Sequence, residues 1–267
     1  MNEDDQFLPE TRFIEDIYKP SLSRCNIDSL REVLRKTDKG KAVLQDEESC
    51  DQYLAMYGGS HFYKLLAAFK ATNFPAVEGK NIEIVDWGCG QALATSILLD
   101  YFTQQRIQPV ISRITLVEPS FISVERGRRF VLHMLSPNAG NTTAVQVINK
   151  PLDDILSEDF NSNPSTIKVH LFSNILDVDA FNIENLYKLI VESFNGLNRF
   201  IGVSPKYSQS KRLDTFYNLF SDSFDLSRQI FREEDLMGEV FFFRTKRYER
   251  RTIKRYERQF TVTLAKF

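Results

Sequence analysis

The order of apolar and polar residues along the chain alternates between short β-branched runs and longer stretches with helical spacing. The clearest example is the stretch 81–101, in which Ile82, Ile84 and Val85 form the apolar run typical of a strand covered on both faces. The stretch after it repeats its apolar positions at Ala94, Ile97, Leu98, Tyr101 and Phe102. The pattern therefore predicts a buried strand that leads into an amphipathic helix.

The same alternation of strand and helix continues along the chain, so that five strands alternate with helices. The later strands are predicted at residues 113–117, 144–148, 167–172 and 199–205. Strands that alternate with helices in this way favour parallel pairing with the helices on both faces of the sheet. We therefore expect an α/β fold built on a doubly wound, mostly parallel, Rossmann-like sheet in residues 76–267.

Residues 1–75 have a helical tendency and are expected to form an N-terminal helical cap or lid. The second helical region, Cys50–Ala71, is interrupted in its middle by Gly58-Gly59-Ser60. A glycine inside a helix costs ~1 kcal/mol relative to alanine, so some feature of the fold should require this pair. One explanation is a corner between two helices, and another is a segment that folds over a bound ligand.

The C-terminal region is expected to form an antiparallel β-hairpin and carries an unusual concentration of charge. Strand candidates lie at 224–231, 239–245 and 259–265. The segment Arg244–Arg258 contains KRYER twice, and its eight basic and two acidic residues give a net charge of +6 in a chain of net charge −2. Such a segment could bind a nucleic acid, with Tyr248 and Tyr256 stacking on bases. It could also be a solvated hairpin. In either case we expect the segment to project from the sheet, because eight cationic side chains cannot be buried without partners.

The composition is that of a globular protein and gives no sign of a metal centre. The chain has 267 residues, of which 42% are hydrophobic and 26% charged. Its three cysteines and three histidines are scattered, which indicates reduced thiols and no metal site. The N-terminus is acidic and does not resemble a signal peptide, and no apolar run reaches the ~20 residues of a membrane span. We therefore expect a cytoplasmic protein that does not interact with membranes.

The turn between the first strand and its helix is the strongest candidate for a ligand site. Gly88 and Gly90 allow the backbone to turn sharply and to approach a ligand closely, beside the positive end of a helix. The dinucleotide fingerprint G-x-G-x-x-G/A fits poorly, because Leu93 occupies the position of its last small residue. The pattern acidic-x-G-x-G is met by Asp86, Gly88 and Gly90, and small Ala92 follows.

This pattern, in its strand and helix context, resembles motif I of the class I S-adenosylmethionine-dependent methyltransferases over roughly residues 80–245. The resemblance implies S-adenosyl-L-methionine as cofactor and Glu118, at the tip of the second strand, as the ligand of the ribose hydroxyls. It also implies that Asp153 or Asp154 contacts the adenine amine, and the sequence does not choose between them. The full set of expected cofactor-binding residues is Tyr57, Asp86, Gly88, Cys89, Gly90, Glu118, Pro119, Asp153, Asp154 and Asn174.

The turn after the fourth strand should face the transferred methyl group, since ligands of open α/β sheets bind beyond the carboxyl ends of the strands. Asn174 and Asp177 are its polar residues, and His61 could join them from the segment before the glycine turn. These three are the candidate catalytic residues. The turn lacks the N/D-P-P-Y/F motif of exocyclic-amine DNA methyltransferases. It also lacks a Pro-Cys pair, which disfavours a cysteine-dependent 5-methylcytosine mechanism.

The expected function is methyl transfer from S-adenosylmethionine to an N or O atom of an acceptor that could be a small molecule, an RNA or a protein. The alternative is a methyltransferase-like module that binds nucleic acid or protein and lacks catalysis. A dehydrogenase is disfavoured by Leu93.

Overall fold

The computed structural model describes residues 10–25, 30–38, 41–135 and 143–265, so the acidic residues 1–9 lie outside the described part. After a π-helical segment at Phe13–Tyr18, the helices are α1 (Lys19–Arg24), α2 (Leu30–Lys36), α3 (Glu47–Ala71), α4 (Leu93–Gln105), α5 (Phe121–Met134), α6 (Ile183–Ser193) and α7 (Arg212–Ser221). The strands are β1 (Asn81–Trp87), β2 (Val110–Val117), β3 (Ala144–Ile148), β4 (Ile167–Ser173), β5 (Gly196–Ser204), β6 (Ser227–Phe242) and β7 (Arg247–Leu264).

The seven strands form one sheet in the order β3-β2-β1-β4-β5-β7-β6. β1 to β5 are parallel, and β7 pairs antiparallel with both β5 and β6. The chain first builds outward from β1 to β3 and then returns to place β4 on the other side of β1. This reversal opens a crevice beyond the carboxyl ends of β1 and β4. The predicted doubly wound, mostly parallel sheet with a C-terminal antiparallel hairpin is confirmed.

Helices cover both faces of the sheet, and alternate residues of each strand supply two hydrophobic clusters. On β1, Ile84 belongs to the cluster beneath α3, α4 and α5, whereas Val85 belongs to the cluster beneath α6 and α7. Phe13 and Phe62, from the N-terminal helices, pack in the same cluster as Ile84. The N-terminal helices therefore share the core of the sheet and hold one side of the crevice in place.

Helix α3 runs without interruption through Gly58 and Gly59, so the expected break at this pair is wrong. A Cβ on Gly59 would lie 3.0 Å from the hydroxyl oxygen of Tyr18 and 3.1 Å from Val240. A Cβ on Gly58 would lie 3.0 Å from the ring of Tyr18 and 3.0 Å from Leu54. The glycine pair is therefore required because Tyr18 and the C-terminal hairpin pack directly on the helix backbone.

The C-terminal hairpin is longer than the sequence indicated. The strand candidates at 224–231 and 239–245 belong largely to one continuous strand, β6, whose pairing shifts register between Ser227 and Ile230. β7 continues past the last residue of β5, since Ser204 pairs with Tyr256. The hairpin therefore extends beyond the same sheet edge that carries the crevice.

The basic segment Arg244–Arg258 does not project freely as a whole, which corrects the expectation from its charge. Arg255 and Glu257 are buried and lie 3.3 Å apart, and Ile253 and Tyr256 are also buried. The acids of β6 face this segment across the hairpin, because Glu234 pairs with Arg255 and forms an ion pair with it. The sequence alone does not reveal this arrangement, because Glu234 lies about 20 residues before Arg255 along the chain.

Smaller differences concern element boundaries. β2 begins at Val110, earlier than the predicted strand 113–117. Within the described ranges no helix is long and apolar enough to cross a membrane. The same part of the chain contains no group of three or more potential metal-binding side chains.

Candidate functional site

A cleft of about 330 Å³ lies beyond the carboxyl ends of β1, β2 and β4, at the reversal of strand order. One wall comes from the loop before α3, and the other from the turns after β3 and β4. The lining residues are Lys41, Ala42, Val43, Leu44, Tyr53, Gly88, Gly90, Gln91, Glu118, Pro119, Ser123, Pro151, Leu152, Ser173, Asn174, Ile175, Val178, Ala180 and Phe181. The walls combine apolar side chains with a few convergent polar groups, as small-molecule sites do.

The glycine turn after β1 forms the floor of the cleft. Gly88 and Gly90 have φ angles of +57° and +51°, a region that L side chains rarely adopt. A Cβ on Gly88 would lie 2.5 Å from Ile175, so this glycine lets the turn after β4 approach. A Cβ on Gly90 would meet nothing within 4 Å, because this residue faces the open cleft. Gly90 thus leaves its backbone accessible to a ligand.

Glu118 is the acidic group of the cleft, and its carboxylate is held in a fixed orientation. Oε2 accepts a hydrogen bond from the Gly90 N–H at 3.0 Å, and Oε1 accepts one from the Ser120 N–H at 3.0 Å. Burial raises the pKa of Glu118, and the two backbone N–H groups oppose that rise. Each carboxylate oxygen keeps further acceptor capacity. The pair of oxygens can therefore accept hydrogen bonds from two neighbouring hydroxyl groups of a ligand.

Asp86 and Cys89 belong to the turn but do not line the cleft. Asp86 Oδ2 accepts hydrogen bonds from the Thr95 N–H and Oγ1–H at 3.2 and 2.8 Å, and so ties β1 to the first turn of α4. Complete burial raises the pKa of Asp86 to about 7. The Cys89 N–H donates to the Val117 carbonyl at 2.9 Å, which fastens the turn to β2, and burial raises the pKa of its thiol.

The loop after β2 is fixed by a side chain that the sequence reasoning missed. Asn149 Nδ2 donates to the carbonyl oxygens of Glu118 and Pro119 at 2.8 and 2.9 Å. Pro119 lines the cleft as expected. Ser120 caps α5 by accepting a hydrogen bond from the Ser123 N–H. These contacts hold Glu118 at the strand tip.

Asp153 and Asp154 lie in a short 3₁₀ turn after β3 and are both exposed. The Asp153 carboxylate accepts a hydrogen bond from the Asn182 N–H at 3.1 Å, just before α6. Their neighbour Leu152 lines the cleft instead, together with Ile175 and Phe181. The structure thus places apolar side chains, rather than these carboxylates, on the cleft wall near β3.

Asn174 lines the cleft at the tip of β4 and is fixed by three side chains. Its Nδ2 contacts His61 Nε2 at 3.0 Å and donates to Ser173 Oγ at 3.1 Å, and its Oδ1 accepts a hydrogen bond from Lys64 Nζ at 2.5 Å. Its φ is +56°, and its N–H donates to the Val203 carbonyl at 2.8 Å. Both hydrogens of the amide are used, which leaves one Oδ1 lone pair for a ligand.

Lys64 is the functional candidate that the sequence reasoning missed. It is buried on α3 behind Asn174, and burial lowers its pKa to about 7 although the charge of Asp177 opposes this. The pKa of His61 is also lowered, by burial and then by Lys64, so this imidazole is neutral. The only sequence signal was the spacing of Lys64, one helical turn after His61 on the same face.

Asp177 lies behind the cleft wall and is buried. Its Oδ1 accepts a hydrogen bond from Ser204 Oγ at 2.7 Å, and its Oδ2 accepts one from the Tyr207 hydroxyl. The structure thus connects His61 and Asn174 directly. Asp177 is linked to that pair through Lys64, because its charge raises the pKa of Lys64.

The N-terminal region closes the cleft on the side of α3. Leu44 lines the cleft, and its carbonyl accepts a hydrogen bond from Ser120 Oγ at 2.5 Å. Tyr53 lines it too, whereas the predicted Tyr57 packs behind Tyr53 at a ring distance of 5.1 Å. No sequence motif marks Tyr53. Its place in the cleft depends on the angle at which α3 crosses the sheet, which local sequence does not give.

No protein-family model matches the chain, and no curated protein matches it either. Among solved structures, the chain is similar to an S-adenosylmethionine-dependent O-methyltransferase from Thermotoga maritima, with 14% identity, a TM-score of 0.47, and coverage of 75% of this chain and 65% of that one. A precorrin-6y C5,15-methyltransferase from Geobacter metallireducens matches with 10% identity, a TM-score of 0.41 and coverage of 86% and 95%. An rRNA methylase from Streptococcus thermophilus matches with 8% identity, a TM-score of 0.42 and coverage of 74% and 95%.

Proposed function

We propose that the protein binds S-adenosylmethionine in the cleft beyond β1, β2 and β4 and transfers its methyl group to an N or O atom of an acceptor. The observation that carries the proposal is the carboxylate of Glu118, held by the N–H groups of Gly90 and Ser120 at the edge of an open glycine turn. A carboxylate in this state can accept hydrogen bonds from both hydroxyls of a ribose. The cofactor would supply a methyl group on a positively charged sulfur.

The remaining parts of the cleft suit the other parts of this cofactor. Leu152, Ile175 and Phe181 provide an apolar wall that can hold an adenine ring. Asp153 and Asp154 remain candidates for the exocyclic amine, at the rim beside Leu152. The backbone of Gly90 is open toward the region where the amino-acid end of the cofactor would lie. This division of the cleft fits the cofactor's alternation of polar and apolar groups.

The acceptor atom would approach near the tip of β4. Methyl transfer is an in-line displacement, so alignment of donor and acceptor is the main task of the protein. Ser173 and Asn174 line this end of the cleft, and the free lone pair of Asn174 Oδ1 can accept a hydrogen bond from an acceptor N–H or O–H. Lys64 and His61 act as positioning residues because they fix the amide of Asn174 from behind.

The proposal is tested by ligand binding and then by turnover. S-adenosylhomocysteine should raise the melting temperature of the protein, because a ligand that binds only the folded state stabilises it. Gly90→Val should abolish this shift by filling the open side of the turn. A screen with tritiated methyl donor and fractionated cell extract would then identify the acceptor. Cofactor binding without methyl transfer to any fraction would favour the alternative of a non-catalytic, methyltransferase-like binding module.

The hairpin favours a nucleic acid as the acceptor over a free small molecule. It extends past the carboxyl end of β5, on the sheet edge that carries the cleft. Its exposed turn carries Arg244, Lys246 and Arg247, and Tyr248 beside it is also exposed. Cations next to an exposed aromatic ring suit the phosphates and bases of a single strand. Arg255, toward the other end of the basic segment, is buried in its ion pairs and cannot contribute to such a role.

A further inference from the structure

A second cavity, of about 220 Å³, lies between the end of α3 and the face formed by β5, β7 and β6. It is separate from the cleft, because it opens beside the first half of β5 and shares no lining residue with the cleft. Its lining residues are Thr72, Asn73, Arg199, Phe200, Ile201, Arg228, Gln229, Ile230, Gln259, Phe260 and Thr261. The lining contains two arginines and no acidic residue.

Arg199 is the unusual member of this lining. Its side chain is on the α3 face of the sheet, where Nη1 donates to the Asn73 carbonyl at 3.0 Å. The residue is only 5% exposed, and its buried Nε has no hydrogen-bond partner among the described residues. A buried guanidinium normally has a carboxylate partner, since removing its charge from water is costly. One carbonyl oxygen at the end of a helix does not replace such a partner.

Arg228 adds a second positive charge to the same cavity. It lies in the register shift of β6, with a φ of +51°, and its side chain is exposed. Within the described part of the chain, neither arginine forms an ion pair with an acidic residue. The nearby acid Glu257 is occupied by Gln259 Nε2 at 2.8 Å and by Arg255. The pKa of Arg199 is lowered by its burial and then by the charge of Arg228.

We propose that this cavity is an anion-binding site, in which Arg199 and Arg228 hold the phosphate group of a small organic phosphate. The planar guanidinium offers paired N–H donors that match two oxygens of a phosphate. The anion would supply the charge partner that both arginines lack. The site does not depend on methyl transfer, because it uses none of the residues of the cleft.

The size and the walls of the cavity indicate an organic phosphate instead of the bare ion. A water molecule occupies about 30 Å³ of liquid, so the cavity has room for a group several times larger. Ile201 and Ile230 lie on the same face as Arg199, since both occupy the cross-strand row of Gln259. A ligand with a phosphate at one end and a small apolar body at the other would use both kinds of wall.

The test is isothermal titration of the full-length protein with phenyl phosphate, inorganic phosphate and neutral benzyl alcohol. We expect phenyl phosphate to bind more tightly than inorganic phosphate, and benzyl alcohol not to bind. Arg199→Met and Arg228→Met should each weaken phenyl phosphate at least tenfold, because each removes one of the two cations. Arg128→Met, which removes an exposed cation on α5 that does not line the cavity, should leave the affinity unchanged.

Two results would overturn the proposal. The first is the absence of binding by the wild-type protein at millimolar phenyl phosphate. The second is unchanged affinity in Arg228→Met, a variant that should fold normally because the side chain is exposed. A third measurement gives the alternative role of Arg199. If the wild type binds no anion and Arg199→Met lowers the melting temperature in buffer without phosphate, then Arg199 serves only to cap the end of α3. The cavity and the cleft share no residue, so phenyl phosphate should bind even if S-adenosylhomocysteine does not.

Discussion

Gly127 on α5 packs directly against the backbone of Gln91 in the glycine turn, where a Cβ would lie 2.7 Å from the Gln91 carbonyl carbon. The same Cβ would lie 2.9 Å from the Cβ of Ala92. Ala92 itself has a φ of +53°, so this part of the turn already has an unfavourable conformation. Helix α5 therefore sets the shape of the cleft floor through a glycine that has an ordinary helical backbone.

This contact predicts that Gly127→Ala destabilises the protein, although alanine is the better helix former. The added methyl group must displace backbone atoms, and such overpacking typically costs about 1–3 kcal/mol. Urea denaturation would measure the loss, and Arg128→Ala, at the exposed next position of α5, is the control. We also expect weaker binding of S-adenosylhomocysteine, because the turn moves. A more stable variant with unchanged binding would contradict this prediction, because it would show that the turn accommodates the methyl group without loss of stability.

Glu118→Gln should weaken the binding of S-adenosylhomocysteine by about 10- to 150-fold, the equivalent of ~1.5–3 kcal/mol for hydrogen bonds to a charged group. The amide also turns an N–H toward the N–H of Gly90 or Ser120, so it cannot reproduce the carboxylate's contacts. Titration calorimetry would measure the change, with the exposed Glu158→Gln as control. Unchanged affinity in Glu118→Ala would mean that the carboxylate only fastens the turn.

The lowered pKa of Lys64 predicts a specific dependence of stability on pH. Folded Lys64 loses its proton near pH 7, whereas the unfolded chain keeps it up to about 10.5. Between these values the unfolded state binds more protons, so the free energy of unfolding rises with pH, by up to about 1.4 kcal/mol per unit. Lys64→Met should lack this contribution.

Urea denaturation at pH 7.5 and pH 9, with wild type, Lys64→Met and the exposed control Lys70→Met, would isolate the contribution of Lys64. Apart from Lys64 and Lys70, all titrating groups are common to the three proteins. Equal pH dependence in wild type and Lys64→Met would show that burial does not lower the pKa of Lys64.

The hairpin predicts binding of single-stranded RNA or DNA that weakens steeply with salt, because each neutralised phosphate releases counterions. Arg244, Lys246 and Arg247, all changed to Glu, should abolish this binding and leave cofactor affinity intact. Lys80, Arg128 and Lys188, changed together to Glu, give the same change of charge on distant exposed positions. Gel-shift titrations at two salt concentrations would compare the three proteins. Equal loss in both variants would indicate attraction by net charge alone.

Short sequence patterns predicted the helices and strands whose formation depends on residues close together along the chain. The strand Ala144–Ile148 was predicted with its observed ends, and the helix after β1 was predicted from the spacing of its apolar residues. The resemblance to motif I pointed to Glu118 at the tip of the second strand, and this residue lines the cleft.

Contacts between distant segments could not be predicted in this way. Burial behind β4 lowers the pKa of Lys64, and apart from its spacing from His61 the local sequence gives no sign of that burial. The prediction that the basic segment projects freely failed for the same reason. Glu234 lies opposite Arg255 and neutralises it only once β6 pairs with β7. Gly127 carries no motif, and its importance appears only when α5 contacts the turn.

The most direct measurement of the central claim is calorimetric titration of the wild-type protein with S-adenosylhomocysteine and, separately, with NAD. The open floor at Gly90 and the fixed carboxylate of Glu118 predict one-to-one binding of S-adenosylhomocysteine, its loss in Gly90→Val, and no binding of NAD. Binding of NAD in the same cleft, with no binding of S-adenosylhomocysteine at millimolar concentration, would contradict the assignment of the cofactor.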